Sequence, residues 1–343
     1  MLDAIIKEIE TRKDYLENAT INTIYLGGGT PSLLNRHELE KIFETIQRLF
    51  TVADQPEITL EANPDDLTLE YLRELRLTPV NRLSIGIQSF AEEDLRFMNR
   101  AHNAIDAKAA IEYAQDAGFE NMSIDLIYGS PSTSDKQWKK NLKIAFGYDI
   151  PHISCYCLTV EPGTALHKFV EKGTTKPVDE EHAARQFELM LQLMDKYRYI
   201  HYEISNFALA EKYARHNTHY WQGVPYLGIG PSAHSFNGVS RQWNVANNAR
   251  YLQSIQEGKV PSTIEMLEPE QHYNEYVMTS LRTIWGCDPH EILKRFGKNR
   301  LAYFNQKIIP FINNETVGTD GKKYFLTQKG KLLADRITME LFA

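Results

Sequence analysis

The chain has 343 residues, more than one ordinary hydrophobic core organises, so its length predicts a large domain and a smaller one. With 42% hydrophobic and 24% charged residues its composition is typical of a globular protein, and no apolar run approaches the roughly 18 residues of a membrane span. A net charge of −7 argues against nucleic acid or an anionic membrane as a partner, and three cysteines argue against a disulfide framework. The expected location is the cytoplasm.

The first half of the chain predicts helices and strands in regular alternation. It opens with Leu2, Ile5, Ile6 and Ile9 on one helix face, with no cap or strand before them, so we expect the first strand of the fold to lie further upstream. Apolar runs predict strands at 23–26, 58–60, 82–87, 122–128 and 153–158. Helices are predicted at 35–49, 67–77, 104–117, 136–146 and 178–197.

This alternation predicts βαβ units and a parallel sheet that closes partly or wholly into a barrel. The region 202–243 is rich in Gly, Asn, His and aromatic residues without periodicity, which predicts ordered loop. From 269 onward the pattern predicts two helices, a hairpin at 318–326 and a final helix. We therefore expect three parts: a barrel at 1–200, an irregular segment at 201–265 and a small α+β domain at 266–343.

Chemistry-bearing residues recur where the predicted strands end. Gly27-Gly28-Gly29-Thr30-Pro31 follows the first strand, and its glycines allow close approach of backbone groups to a ligand, although a plain turn is the alternative. Glu61, Gln88 and Asp125 lie at or near the ends of the later strands. Because ligands bind at the carboxyl ends of parallel strands, these residues predict one pocket.

These motifs, in this order and spacing, resemble the HemN/HemW branch of the radical S-adenosylmethionine proteins over nearly the whole chain. The resemblance implies a partial (β/α)6 TIM-like barrel, lacking its first strand here, with a winged-helix-like C-terminal domain. Lys322, Lys323, Lys329 and Lys331 of that domain are too few to predict nucleic-acid binding, so docking or a lid is expected. The strings that carry the resemblance are Tyr-Leu-Gly-Gly-Gly-Thr-Pro, Glu-Ala-Asn-Pro, Ile-Gly-Ile-Gln-Ser-Phe, Asn-Arg-Ala-His and Ile-Asp-Leu-Ile-Tyr-Gly.

The resemblance also implies a site for S-adenosylmethionine. The glycine loop would contact the methionine part, an arginine suits its carboxylate, and Asp125 would bind the ribose diol. The implied residues are Gly28, Gly29, Thr30, Glu61, Gln88, Arg100 and Asp125.

One family feature is absent from the sequence. The C-x3-C-x2-C loop that holds the 4Fe–4S cluster of the family should precede Gly27, and this chain has no such motif. Cys155 and Cys157 cannot replace it, since they lie on one side of a predicted strand, and we expect both to be buried structural residues. Either the natural start lies upstream or this chain is naturally cluster-free, and the opening helix favours truncation before the loop.

A second motif lies in the irregular segment. His216-Asn217-Thr218-His219-Tyr220-Trp221 would, by itself, be explained as loop packing. It resembles the H-N-x-x-Y-W haem-binding motif of HemW, which implies a haem site at His216, Asn217, Tyr220 and Trp221. His216 is then the candidate iron ligand, and His219 occupies a variable position of the motif.

The sequence leaves three functions open, and the H-N-x-x-Y-W string favours the first of them. The first is a haem chaperone that binds haem and S-adenosylmethionine and passes haem to acceptor proteins. The second is an oxygen-independent coproporphyrinogen III oxidase, and the third is a truncated, cluster-free chain without radical chemistry. Whether the chain is an enzyme and whether it forms a homodimer stay undecided at this point.

Overall fold

The computed structural model describes residues 1–173 and 175–343, which divide into two compact units. The barrel unit comprises Tyr25–Arg36 and Glu57–Ala214. The terminal unit comprises Met1–Ile24, His37–Pro56 and Arg215–Ala343. The three-part division expected from the sequence stays a prediction.

A seven-stranded sheet runs through the described part of the chain up to Ala208. Its strands are β1 (Ile21–Leu26), β2 (Val52–Ala62), β3 (Arg82–Gln88), β4 (Met122–Tyr128), β5 (His152–Cys157), β6 (Ile200–Glu203) and β7 (Asn206–Ala208). Their spatial order is β1-β2-β3-β4-β5-β7-β6. The strands β2 to β5 pair in parallel, whereas β7 pairs antiparallel with both β5 and β6.

Helices connect most of these strands, and two short ones, at 92–97 and 165–171, were not predicted from the sequence. The helix predicted at 104–117 is confirmed, and Asn103 caps its N-terminus. The Asn103 side chain accepts a hydrogen bond from the backbone N–H of Asp106, and the Asp106 carboxylate accepts one from the backbone N–H of Asn103. Strands contribute Ile85, Ile124 and Ile153 to the core, all fully buried. The helices are α1 (Leu2–Thr11), α2 (Arg36–Leu49), α3 (Leu69–Leu75), α4 (Glu92–Phe97), α5 (Ala104–Asp116), α6 (Asp135–Gly147), α7 (Ala165–Glu171) and α8 (Glu180–Lys196).

The region expected to be irregular loop contains regular structure, so that prediction was wrong. The elements that lie within 202–243 have only three to seven residues, which is too short for hydrophobic periodicity to show. The strands β8, β9 and β10 form an antiparallel sheet of order β10-β9-β8. The elements are α9 (Arg215–Trp221), β8 (His234–Phe236), β9 (Ser240–Asn244), α10 (Asn248–Gln256) and β10 (Ser262–Met266).

The C-terminal part follows the predicted order of two helices, a hairpin and a final helical segment. The antiparallel hairpin pairs Val317 with Leu326 and Thr319 with Tyr324. Gly297, with φ of 83°, interrupts the long second helix. The elements are α11 (Pro269–Leu281), α12 (Pro289–Asn313), β11 (Val317–Thr319), β12 (Tyr324–Leu326), α13 (Gln328–Lys331) and α14 (Ala334–Leu341).

A buried carboxylate connects helix α1 to the rest of the terminal unit. The predicted apolar stripe is only partly right, because Leu2, Ile5 and Ile6 are half-buried while Glu8 is fully buried. Glu8 Oε2 accepts from the Tyr251 hydroxyl (2.7 Å) and the Gly230 N–H (2.8 Å). Its Oε1 accepts from Asn244 Nδ2 at 2.7 Å and forms an ion pair with Arg12 at 3.5 Å. This carboxylate is therefore fully paired, as a buried charge must be.

Within the described residues, no helix combines the length and the apolar character needed to cross a membrane.

Candidate functional site

A cavity of about 170 Å³ lies where strands β2, β3 and β4 of the barrel unit end. The parallel pairing sets Glu61 beside Ser84 and Ile85 beside Ile124, so that the ends of three strands meet there. The lining residues are Gly29, Thr30, Pro31, Ser32, Glu61, Ala62, Asn63, Ser84, Gly86, Gln88, Arg100 and Asp125. The structure thus brings together Gly29, Thr30, Glu61, Gln88, Arg100 and Asp125, all selected from the sequence.

Glu61 connects the glycine loop to the strand ends. Its Oε1 accepts from the Tyr25 hydroxyl at 2.7 Å, and its Oε2 accepts from the Gly28 N–H at 3.0 Å. Gly28 has φ of 75°, a left-handed conformation that glycine adopts without strain. A Cβ on Gly27 would lie 2.5 Å from the Tyr25 ring and 2.7 Å from the Glu61 carboxyl carbon. The loop conformation therefore depends on glycine at both positions.

Strand β3 ends in a distorted segment that turns Gln88 toward the cavity. The register with β4 shifts between Ile85 and Gln88, and Gln88 has φ of 63°, unusual for a residue with a side chain. Gly86 makes room for this arrangement, because a Cβ there would lie 3.1 Å from Gln88 Nε2 and 3.5 Å from Arg100 Nη2. Arg100 Nη2 in turn donates to Asn63 Oδ1 at 3.2 Å.

Asp125 is a buried titratable group that lines the cavity. Its Oδ1 is buried and has no hydrogen-bond partner among the described residues. Burial raises the pKa of Asp125 to about 6, and the Glu61 charge adds to this, while a hydrogen bond with Ser154 and the charges of Arg82 and Arg100 oppose it. A carboxylate oxygen in this position is available to accept hydrogen bonds from a bound ligand.

The site residues selected from the sequence omitted Tyr25, Asn63, Ser84 and Gly86, and Gly27 was named only as part of the glycine motif. Ser84, Gly86 and Gln88 recur at every second position of β3, so the strand period indicates a shared face once Gln88 is chosen. Asn63 lies inside the quoted Glu-Ala-Asn-Pro string. The contact between Tyr25 and Glu61 has no signal in the sequence.

The second motif lies on helix α9 of the terminal unit. The nitrogen Nδ1 of His216 lies 2.8 Å from Thr23 Oγ1, and Nε2 lies 3.1 Å from the Tyr220 hydroxyl. The rings of His216 and Tyr220 meet edge to face with centroids 4.9 Å apart. Since α9 is helical, His216 and Tyr220 stand one turn apart on the same face.

The neighbouring aromatic residue of α9 is Trp221. Its buried Nε1 has no hydrogen-bond partner within the described chain, and the Arg282 guanidinium lies 5.6 Å from the centre of its ring. Asn217, on the same short helix, is half-buried. The four residues of the predicted haem motif therefore share one helix, and their binding role stays a prediction.

Known proteins resemble the chain over most of its length. The radical SAM superfamily model matches residues 2–145. The heme chaperone HemW of Bacillus subtilis is 33% identical, and the match covers 92% of this chain and 84% of that protein. The chain belongs to the HemW family. A HemW of Mycobacterium tuberculosis is 32% identical, with 98% of this chain and 85% of that protein covered.

The HemW-family chain has the fold that the sequence predicts. Escherichia coli coproporphyrinogen III oxidase (HemN), described as a radical SAM enzyme, superimposes with a TM-score of 0.83 at 23% identity. The match covers 100% of this chain and 82% of HemN. The predicted partial TIM-like barrel of the radical SAM type is thereby confirmed.

The family's 4Fe–4S cluster does not fit the residues of this chain. Among the described residues, no group of three His, Cys, Asp or Glu side chains could hold a metal ion. The prediction that both strand cysteines are buried was wrong for one of them: Cys155 is buried, but Cys157 is exposed. Cys157 is the last residue of β5 and is still paired with Tyr128, so strand alternation does not reveal its exposure.

Proposed function

We propose that this HemW-family chain binds haem at helix α9 and delivers it to acceptor haemoproteins, as the name heme chaperone HemW indicates for its relatives. The observation that carries the proposal is that the whole His-Asn-x-x-Tyr-Trp motif lies on one short helix. No residue of that helix is fully buried. There His216 and Tyr220 stand together, with Trp221 next in the chain. An imidazole beside aromatic rings suits an iron ligand with a flat apolar macrocycle.

The test is a haem titration followed by the Soret band, on the wild-type chain and on His216→Ala. We expect saturable one-to-one binding that the substitution weakens at least about tenfold and shifts in wavelength, since an axial ligand is lost. His219→Ala is the matched control, because it removes an imidazole from the same helix at a variable position of the motif. Equal binding by wild type and His216→Ala would contradict the proposal.

We further propose that the barrel-unit cavity binds S-adenosylmethionine. The residues fit this molecule: Asp125 offers an unpaired buried oxygen for the ribose hydroxyls, Arg100 suits the carboxylate, and Glu61 suits the α-amino group. A Cβ placed on Gly28 or Gly29 would meet no atom within 4 Å, so the space beside the glycine loop allows close approach of a ligand. Calorimetric titration with S-adenosylmethionine should give binding that Asp125→Asn weakens.

The described residues offer no ligand set for the cluster. We therefore propose for these residues only the binding and positioning of haem and S-adenosylmethionine. Anaerobic incubation with iron, sulfide and reductant is expected to leave the chain without a stoichiometric 4Fe–4S spectrum. Such a spectrum would contradict this assignment.

A further inference from the structure

Both ring nitrogens of His216 are engaged in this structure. Nδ1 is 2.8 Å from Thr23 Oγ1 and Nε2 is 3.1 Å from the Tyr220 hydroxyl. An iron atom binds imidazole through a nitrogen lone pair, and the neutral ring has one such nitrogen. One of the two contacts must therefore open before His216 can bind a metal.

The contact with Tyr220 is the one that can open at low cost. The Tyr220 side chain is 43% exposed, and its hydrogen bond to His216 lies at the surface. A neutral hydrogen bond of this kind contributes about 0.5–1.5 kcal/mol. Thr23, in contrast, lies within strand β1, and its β-branched side chain has little rotational freedom.

The two contacts are compatible with one neutral tautomer of the His216 ring. A protonated phenol can donate to Nε2, and Nδ1–H can then donate to the Thr23 hydroxyl. Metal-binding histidines commonly donate their second ring N–H in this way, which fixes the tautomer and the ring orientation.

We infer that Thr23 is a positioning residue that holds His216 in the Nδ1–H tautomer, and that Tyr220 covers Nε2 until haem displaces it. This inference rests on the proposed role of His216 as the haem ligand. Thr23 lies outside the haem motif, 193 residues before His216 in the sequence. It therefore adds a residue to the haem site that the motif does not contain.

Two substitutions separate the two parts of the inference. Thr23→Val keeps the shape of the side chain and removes the acceptor of the Nδ1–H bond, and haem affinity should fall about tenfold or more. Thr23→Ser restores the hydroxyl and should restore affinity. Tyr220→Phe removes the hydroxyl that covers Nε2 and keeps the ring beside His216, so haem association should become about 2- to 10-fold faster, the equivalent of one hydrogen bond.

The measurement combines stopped-flow haem association, Soret titration and the iron–histidine stretching band of the reduced complex by resonance Raman. Loss of the hydrogen bond in Thr23→Val should lower the frequency of that band, because the imidazole becomes a weaker electron donor to iron. If Thr23 had only a structural role, the frequency of the band would not change. Melting curves of each variant identify unfolding. An unchanged band and affinity in Thr23→Val, a failure of Thr23→Ser to rescue, or slower association in Tyr220→Phe would overturn the inference.

The same experiment distinguishes the inference from the proposed function. If His216→Ala binds haem like wild type, the proposed ligand is wrong. If His216→Ala weakens binding but Thr23→Val and Tyr220→Phe behave like wild type, only the inference fails.

Discussion

Glu61 holds Gly28 in place: the Glu61 carboxylate accepts the backbone N–H of Gly28 at 3.0 Å. The same carboxylate accepts the Tyr25 hydroxyl at 2.7 Å. Bonds to an ionised acceptor are stronger than those between neutral groups. The shape of the glycine loop therefore depends on the charge of one side chain.

Glu61→Gln should weaken S-adenosylmethionine binding about 10- to 100-fold. The amide has one acceptor oxygen, so one of the two bonds is lost, and a charged bond contributes about 1.5–3 kcal/mol. Calorimetric titration measures the affinity, and Glu93→Gln on the exposed face of α4 is the matched control. Equal affinity of Glu61→Gln and wild type would show that this carboxylate does not shape the site.

Gly27→Ala should lower both stability and ligand affinity, whereas Gly29→Ala should leave stability unchanged. The new methyl group at position 27 would meet the Tyr25 ring and the Glu61 carboxyl group, which must move apart, at a cost of about 1–3 kcal/mol. At Gly29 no atom lies within 4 Å of the new Cβ. Thermal melting compares the two variants, and an equal loss of stability in both would refute the steric explanation.

Asp125 should make the protein less stable as the pH rises from about 4 to 7. Its pKa in the folded state, about 6, exceeds its usual 3.8, so the folded state binds the proton more tightly than the unfolded state. The resulting stabilisation is complete below about pH 4 and is lost as pH rises through about 6, a change of about 3 kcal/mol at most. Denaturant unfolding of wild type and Asp125→Asn over this range measures it. A difference between the two proteins that stays constant with pH would count against the raised pKa.

Glu8→Ala should destabilise the terminal unit by about 3–5 kcal/mol. The substitution leaves the Arg12 charge and several buried donors without their acceptor. Glu10→Ala is the control, because Glu10 is exposed and its ion pair with Arg48 is a surface pair worth less than about 1 kcal/mol. Chemical denaturation followed by circular dichroism measures both variants, and similar losses would contradict the role of Glu8.

Of the three cysteines, Cys157 alone should react with iodoacetamide in the folded protein. Cys155 and Cys287 are buried, whereas Cys157 is exposed. Burial of part of the side chain still raises the pKa of Cys157, so the reaction should be slow at pH 7 and accelerate as the pH increases. Mass spectrometry of peptides locates the label, and Cys157→Ser should abolish it. Labelling of Cys155 without unfolding would contradict the structure.

The parts of the fold that the sequence predicts best are long and strongly patterned. The strand predicted at 122–128 coincides with β4, and the helix predicted at 104–117 differs from α5 by one residue, since a capping residue marks its start. The cavity was predicted because polar residues ended successive strands, and parallel topology brings such ends together. Local pattern and topology were sufficient for Glu61 and Gln88, whereas Asp125 lies in the middle of β4.

The contacts that complete both sites join residues far apart in the chain. Tyr25 meets Glu61, and Thr23 meets His216 across 193 residues, and neither pair leaves a local pattern. The prediction of an irregular 202–243 region failed for a different reason. Strands of three to five residues gain their stability from pairing with neighbouring strands, which periodicity does not detect.

The bond between Glu8 and Tyr251 spans 243 residues of sequence. At synthesis rates of roughly 5–20 residues per second, α1 leaves the ribosome about 10–50 s before Tyr251 does. During that interval the Glu8 carboxylate has neither Tyr251 nor Asn244 to bind, and a free segment of ten residues is too short to form a stable helix by itself. The terminal unit can thus close only after translation has passed residue 251.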